Sequence, residues 1–218
     1  NPRFVGVWTG WEPNAFDERD SDFADMAGHD ATGRYVPYWS RGGANGSSAL
    51  DPLTDYEKPG AGDYYQLPKS TGKATLLEPY AYQIGGKSVL ITTLSVPIVI
   101  EGRFVGVAGV DITLNGIQDM VQAIRIYENG YASLLSNQSI YVAAKDRSKI
   151  GKPADTSDGL SNDQLQPLRT AVRGGQSVEL SVKDPLIGGA AVRIQVPLQL
   201  DGVPSAWSFS ATVPSDEI

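Results

Sequence analysis

The chain contains no cysteine. Disulfides, thiolate nucleophiles and cysteine-based metal sites are therefore excluded. Histidine is nearly absent too: His29 stands alone, in the turn-like segment "AGHDATG", and reads as an ordinary loop residue. No spacing of His, Asp or Glu matches a zinc or EF-hand site. The nucleophile elbow G-x-S-x-G does not occur. The Gly-rich run "GVAGVDI" is followed by no Gly-Lys-Ser/Thr, so it is not a phosphate loop. No apolar run approaches the roughly 20 residues of a membrane span, and no signal peptide is visible. Basic clusters are missing as well. The net charge is -7 and the isoelectric point about 4.7, which excludes nucleic acid as a partner, because phosphate backbones need a basic surface. An acidic chain draws cations instead.

Against these absences stands an abundance of rings beside acids. "GRYVPYW" (33–39) sets three rings within five residues. "DYEKPGAGDYY" (55–65) sets three more among three acids. A core needs rings but not acids; a pocket for a small cation uses both.

The 218 residues are 41% hydrophobic and 20% charged, an ordinary globular composition with enough chain for one core or two small ones. Two β-rich halves emerge. The first has strands at 4–11, 34–41, 87–102 and 103–114, with Glu101-Gly102 as a hairpin turn and "GGANGSS" as another turn. Gly106 and Gly109 inside a strand imply close approach of a backbone or a ligand. Apolar residues at 117, 120, 121 and 124 predict a connector helix. The second half has strands at 131–137, 139–145, 176–182, 190–200 and 205–213. Its one helix carries the capping pattern Ser161-x-x-Gln164; Pro167 places the helix start nearer Gln166. Both halves carry a Pro-containing strand, an acidic-Gly turn and a further strand, a weak internal repeat. The abrupt opening at Asn1-Pro2-Arg3 fits a piece of a longer protein.

The segments "WEPNAFDERD", "DATGRYVPYW", "DYEKPGAGDYYQLPK", "LLEPYAYQIGGKSVLITTLSVPI" and "GRFVGVAGVDITL" together resemble the double Cache family, the extracytoplasmic sensing domains of bacterial chemoreceptors and related kinases. The similarity covers most of residues 8–125 and, more loosely, the rest. It implies an α/β fold of two stacked PAS-like modules with antiparallel sheets, whose long N-terminal helix and flanking membrane helices lie outside this chain. Residues 1–125 would be the membrane-distal, ligand-binding module and 126–218 the membrane-proximal one. The resemblance implies no enzyme and no cofactor. It implies a periplasmic domain of an inner-membrane receptor, with a homodimer as one assembly it allows.

Amino-acid-binding members of that family typically read G-x-x-R-P-W-Y, whose Arg and Trp hold the ligand carboxylate. Here Val36 stands at the Arg position, Tyr38 at the Trp position and Trp39 follows. Val36 cannot form a bidentate pair with a carboxylate. The motif P-Y-x-D becomes Pro79-Tyr80-Ala81-Tyr82, while Asp111 is kept. The pattern resembles the amine-sensing branch, whose ligands include polyamines, histamine and choline-like amines. Ring faces attract cations by about 0.5–2 kcal/mol each. Tyr38, Trp39, Tyr80 and Tyr82 are the ring candidates, Asp111 the leading anion, and Asp55, Asp63 and Glu78 follow. Several acids lean toward a polyvalent amine.

Each candidate also has a structural reading. Asp55 can cap its turn, Glu78 can sit at a solvated edge, Asp111 can bond backbone at a strand end, and one of Tyr64 and Tyr65 on a strand must face away from the other. Rival functions are a carboxylate-pair glycosidase built on "FDERD" or "DYE", a protein-binding module, and the same fold sensing an amino acid, purine or organic acid. The output could be chemotaxis, a kinase or a diguanylate cyclase. Arg34 is the base that could overturn the cation reading if it faced the pocket. Signalling would follow from ligand ordering the stretch from "GGANGSS" to "DYEKPGAG".

Overall fold

A computed structural model describes residues 4–41, 47–84, 86–204 and 207–218. Most of the "GGANGSS" turn lies outside them. The chain divides into two compact units: 1–77, 81–113 and 202–204, and 78–80, 114–201 and 205–218.

The first unit is built on one antiparallel sheet. Its strands are β1 (Phe4–Trp11), β2 (Pro37–Ser40), β3 (Ala49–Pro52), β4 (Thr75–Leu76), β5 (Tyr80–Ile84), β6 (Lys87–Ile100) and β7 (Arg103–Thr113). Their order is β3-β2-β1-β7-β6-β4, with β5 also on β6. The turn joining β6 to β7 has positive φ at Glu101 (52°) and Gly102 (77°), as a two-residue hairpin turn requires.

One face of this sheet carries the core, where Trp8, Val36, Tyr38, Tyr65 and Val107 pack together. The register aligns the opposite face into an apolar row, Leu50-Trp39-Val7-Val110-Leu94, across five strands. Val7 is 47% exposed and Trp39 52%.

Tyr64 and Tyr65 lie not on a strand but on the helix α1 (Asp63–Thr71). Tyr64 and Tyr65 therefore diverge by a helical step rather than by a pleat. Gly72 ends the helix in the left-handed region, with its N–H on Pro68 O.

Gly106 and Gly109 serve close packing. A Cβ at 106 would lie 2.4 Å from Gly10 O, and one at 109 would lie 2.2 Å from the Trp8 indole. The neighbours that demand glycine are thus a backbone and a ring of the chain itself.

The second unit holds α2 (Leu114–Gln122) and the strands β8 (Tyr131–Leu135) and β9 (Tyr141–Ala143), then α3 (Asn162–Arg173), β10 (Val178–Asp184), β11 (Gly189–Leu198) and β12 (Trp207–Pro214). The antiparallel sheet runs β10-β11-β12-β8-β9. Leu135, Leu165, Leu168, Val172 and Val182 are central to its core. Ser161 and Gln164 form the expected capping box. The helix nonetheless starts at Asn162, with Pro167 inside it, not near Gln166. Two satisfied end groups and the burial of Leu165 and Leu168 outweigh the one ladder bond that Pro167 forfeits. Two antiparallel sheet modules with few helices are the fold class that the resemblance implied.

Candidate functional site

The sharpest chemistry in the first unit is a buried carboxylate among rings. Asp111 on β7 is 4% exposed. The register sets it opposite Gly6 on β1 and Thr93 on β6. It accepts 2.6 Å from Thr93 Oγ1 and a long 3.5 Å from Trp8 Nε1. The Tyr38 hydroxyl lies close enough to favour its charged form. Tyr38 reaches it because Gly6 leaves the space: a Cβ there would be 2.4 Å from the phenol oxygen.

Burial raises the Asp111 carboxyl above the usual range, against the lowering effect of Thr93, Tyr38 and Trp8. No cation is paired with it among the described residues. A carboxylate so placed is short of charge compensation.

Beside it lies a cleft of about 400 Å³. Tyr38, Ser40, Asp51, Thr54 and Tyr82 are among its walls. The Tyr38 and Tyr82 rings meet edge to face, 6.1 Å between centroids at 81°. The Tyr82 phenol is pushed up by burial and by the charges of Asp111 and Asp51. Asp51 sits opposite Tyr38 across β2 and β3, and its side is exposed. The sequence reading passed over Asp51; its place beside Tyr38 follows only from a short strand, β3, that was not foreseen.

The expected site residues separate. Tyr38, Tyr82 and Asp111 come together. Trp39 does not join them: it is next to Tyr38 in sequence, so the pleat turns it to the opposite face of the sheet. Asp55 has φ 60° in a turn and pairs with Lys58 at 2.6 Å. Asp63 opens α1 and accepts from Gly60 N at 2.9 Å. Glu78 and Tyr80 group with the second unit, where Glu78 accepts from Ser136 Oγ and from Gln138 N.

Arg34 is engaged elsewhere. It is 3% exposed. Its guanidinium donates to Glu57 at 2.9 Å, to Glu12 at 3.2 Å, to the Tyr65 hydroxyl at 2.6 Å and to Trp11 O. The Tyr56 and Tyr65 rings lie 4.7 and 5.2 Å from it. Val36 is fully buried in the core. His29 stacks on Phe23 at 5.1 Å. Among the described residues, no group of His, Asp and Glu could hold a metal ion, and no helix is long and apolar enough to cross a membrane.

A family model described as "methyl-accepting chemotaxis protein-like, first PDC sensor domain" matches residues 1–119. The methyl-accepting chemotaxis protein TlpQ of Pseudomonas aeruginosa is 28% identical over 219 residues, which is 90% of this chain and 31% of that protein. The chain thus spans about a third of that relative. Among solved structures, the extracellular domain of the putative histidine kinase mmHK1S-Z2 is 35% identical, with a TM-score of 0.80 over all of this chain and 77% of that one. Methyl-accepting chemotaxis protein X is 26% identical, with a TM-score of 0.72 over 98% of this chain and 76% of that one. Matched over residues 1–119 by this family model and over its whole length by a solved extracellular sensor-kinase domain, the chain belongs to the methyl-accepting chemotaxis protein-like PDC sensor domains, an extracytoplasmic family.

Proposed function

We propose that the first unit is the ligand-binding module of a bacterial chemoreceptor and takes a small cationic amine, a polyamine, histamine or choline-like compound, in the cleft of Tyr38, Asp51 and Tyr82. One observation carries this reading. Among the described residues, the cleft is walled by an acid and two phenol rings, backed by the unpaired charge of Asp111, and lined by no Lys or Arg. Arg34, the base singled out in the sequence, is neutralised by Glu12 and Glu57. An ammonium entering there regains solvation from ring faces and feels the charge of Asp111 behind the Tyr38 and Tyr82 rings. Two acids at different depths, Asp51 and Asp111, fit a polyvalent amine.

The test is a thermal-shift screen of putrescine, histamine and choline against amino acids, purines and organic acids, with calorimetry on the hits. Binding to the native state alone raises the melting temperature. The expected result is an amine shift that Asp111→Asn or Tyr82→Ala weakens at least tenfold. A shift with organic acids alone would overturn the reading.

The receptor's output is proposed as chemotaxis, in line with the family model and TlpQ. The 35% identity with a kinase's extracellular domain supports a sensor kinase as the second reading. In either case the ligand signals only by preferring one of two states of the domain.

A further inference from the structure

The second unit has its own cavity, of about 300 Å³, at the small end of ligand pockets. At its wall is Arg193 on β11, 5% exposed. Nε donates to Thr212 Oγ1 at 3.2 Å. Nη2 donates to Asp184 Oδ2 at 2.9 Å and to Asp158 O at 3.0 Å. Nη1, with two N–H groups, donates to nothing among the described residues. A buried guanidinium with one idle arm on a cavity calls for an acceptor from outside the chain.

The arm is held in place. Asp184 is 1% exposed, and its other oxygen accepts from the backbone of Leu186 and Ile187 at 2.9 and 3.0 Å. The Tyr131 hydroxyl donates to Asp184 at 2.7 Å. The guanidinium plane is therefore fixed before any ligand arrives.

The lining is formally neutral: Arg193, Lys145 and Lys149 against Asp146, Asp158 and Asp184. A net anion would enter a site with no surplus positive charge, and a net cation would leave Nη1 unanswered. Asp158 is taken by Lys149 at 3.0 Å. Asp146 carries no ion pair among the described residues and is half-exposed. Tyr131, Tyr141 and Leu186 add apolar surface between the two charges.

We propose that this cavity is a second ligand site, for a small zwitterion whose carboxylate accepts from Arg193 Nη1 and whose ammonium faces Asp146. The site is independent of the amine cleft, which lies in the other unit and lacks a base. A receptor with both would read two chemical classes in one chain.

The experiment is calorimetry and ligand-observed NMR on the 218-residue chain, with alanine and 4-aminobutyrate as probes, and propionate and propylamine as single-charge controls. The expected result is binding of at least one amino acid, with propionate at least tenfold weaker. Propylamine, itself a small amine, is compared in the Asp111→Asn chain, where the amine cleft is disabled, and is at least tenfold weaker there. Arg193→Lys keeps the charge for Asp184 but loses the second arm, and should weaken binding at least tenfold. Leu186→Trp narrows the mouth at a half-exposed position that the fold tolerates, and should do the same even if Arg193→Lys fails to fold. Asp111→Asn should leave this binding within twofold. Absence of amino-acid binding at millimolar concentration, binding that survives Leu186→Trp, or propionate binding as tightly as the zwitterions would overturn the proposal. Loss of binding in Asp111→Asn would move the zwitterion to the first unit and overturn it equally.

Discussion

Asp111 pits stability against recognition. Its folded pKa is raised, chiefly by burial, above an ordinary value of 3.8. The folded state then holds the proton more tightly than the unfolded state does. Its stability is greatest below the ordinary Asp range and falls as pH rises through that range toward the raised folded pKa. Asn can still accept from Thr93 and Trp8 without the charge. Asp111→Asn should therefore melt higher than the parent at neutral pH and show a flatter pH dependence, while losing the amine. Melting curves from pH 3 to 8 check the sign; a lower Tm for the variant at neutral pH would contradict it. Arg34 behaves in the opposite way. Its removal takes from Glu12 one of its two cations, with Lys69 remaining at 2.8 Å, and leaves Trp11 O without its guanidinium donor. Arg34→Met should cost about 1–3 kcal/mol in urea denaturation, below the range for broken buried pairs because Glu57 is solvent-exposed and Glu12 keeps Lys69. At this scale the sequence was legible where type decides role. Val36, apolar by type, lies in the core, and Asp111 is the acid that the sheet buries. Trp39 and Tyr38 were not separable, because adjacency in sequence hides the pleat until the strand is known to exist.

At the scale of elements, long alternating strands and their turns could be read directly. Those of β6 and β7, and the Glu101-Gly102 turn, emerge within two residues of their expected bounds. Short elements could not. The strands β3, β4 and β5 have two to five residues, too few to show a period, and β4 acquires its conformation from a partner distant in sequence. The helix α1 was missed because Pro68 and the paired tyrosines carry weak helical propensity; packing of Tyr65 into the core decides it. Two substitutions probe this level. Gly109→Ala drives a methyl into the Trp8 indole and should cost about 1–3 kcal/mol, with a change in near-UV circular dichroism. Ser161→Ala removes one half of the capping box of α3 and should cost about 1 kcal/mol by the same measurement of stability.

Across the whole molecule, each unit presents an apolar sheet face to solvent. In the first it is the row through Val7 and Trp39; in the second it includes Ile194, Val196 and Leu198, 38–43% exposed. Contiguous faces of this kind are uncommon on monomeric proteins. The 218-residue chain should bind the dye ANS in its native state and self-associate at high salt, where its net charge of -7 no longer keeps molecules apart. The pair Trp39→Ser and Val196→Thr should reduce both effects in fluorescence and gel filtration without lowering ligand affinity.

Trp8 has one more consequence. Its indole N–H lies against the carboxylate that the proposed amine would neutralise, and its ring sits in a dry core. The energy gap of an indole depends on the charges along its long axis. Replacing Trp39, the exposed tryptophan on the outer sheet face, with Phe would remove its emission and leave Trp8 prominent among the three that remain. Occupancy of the cleft would then be visible as a change in colour, in unlabelled protein, on a stopped-flow timescale.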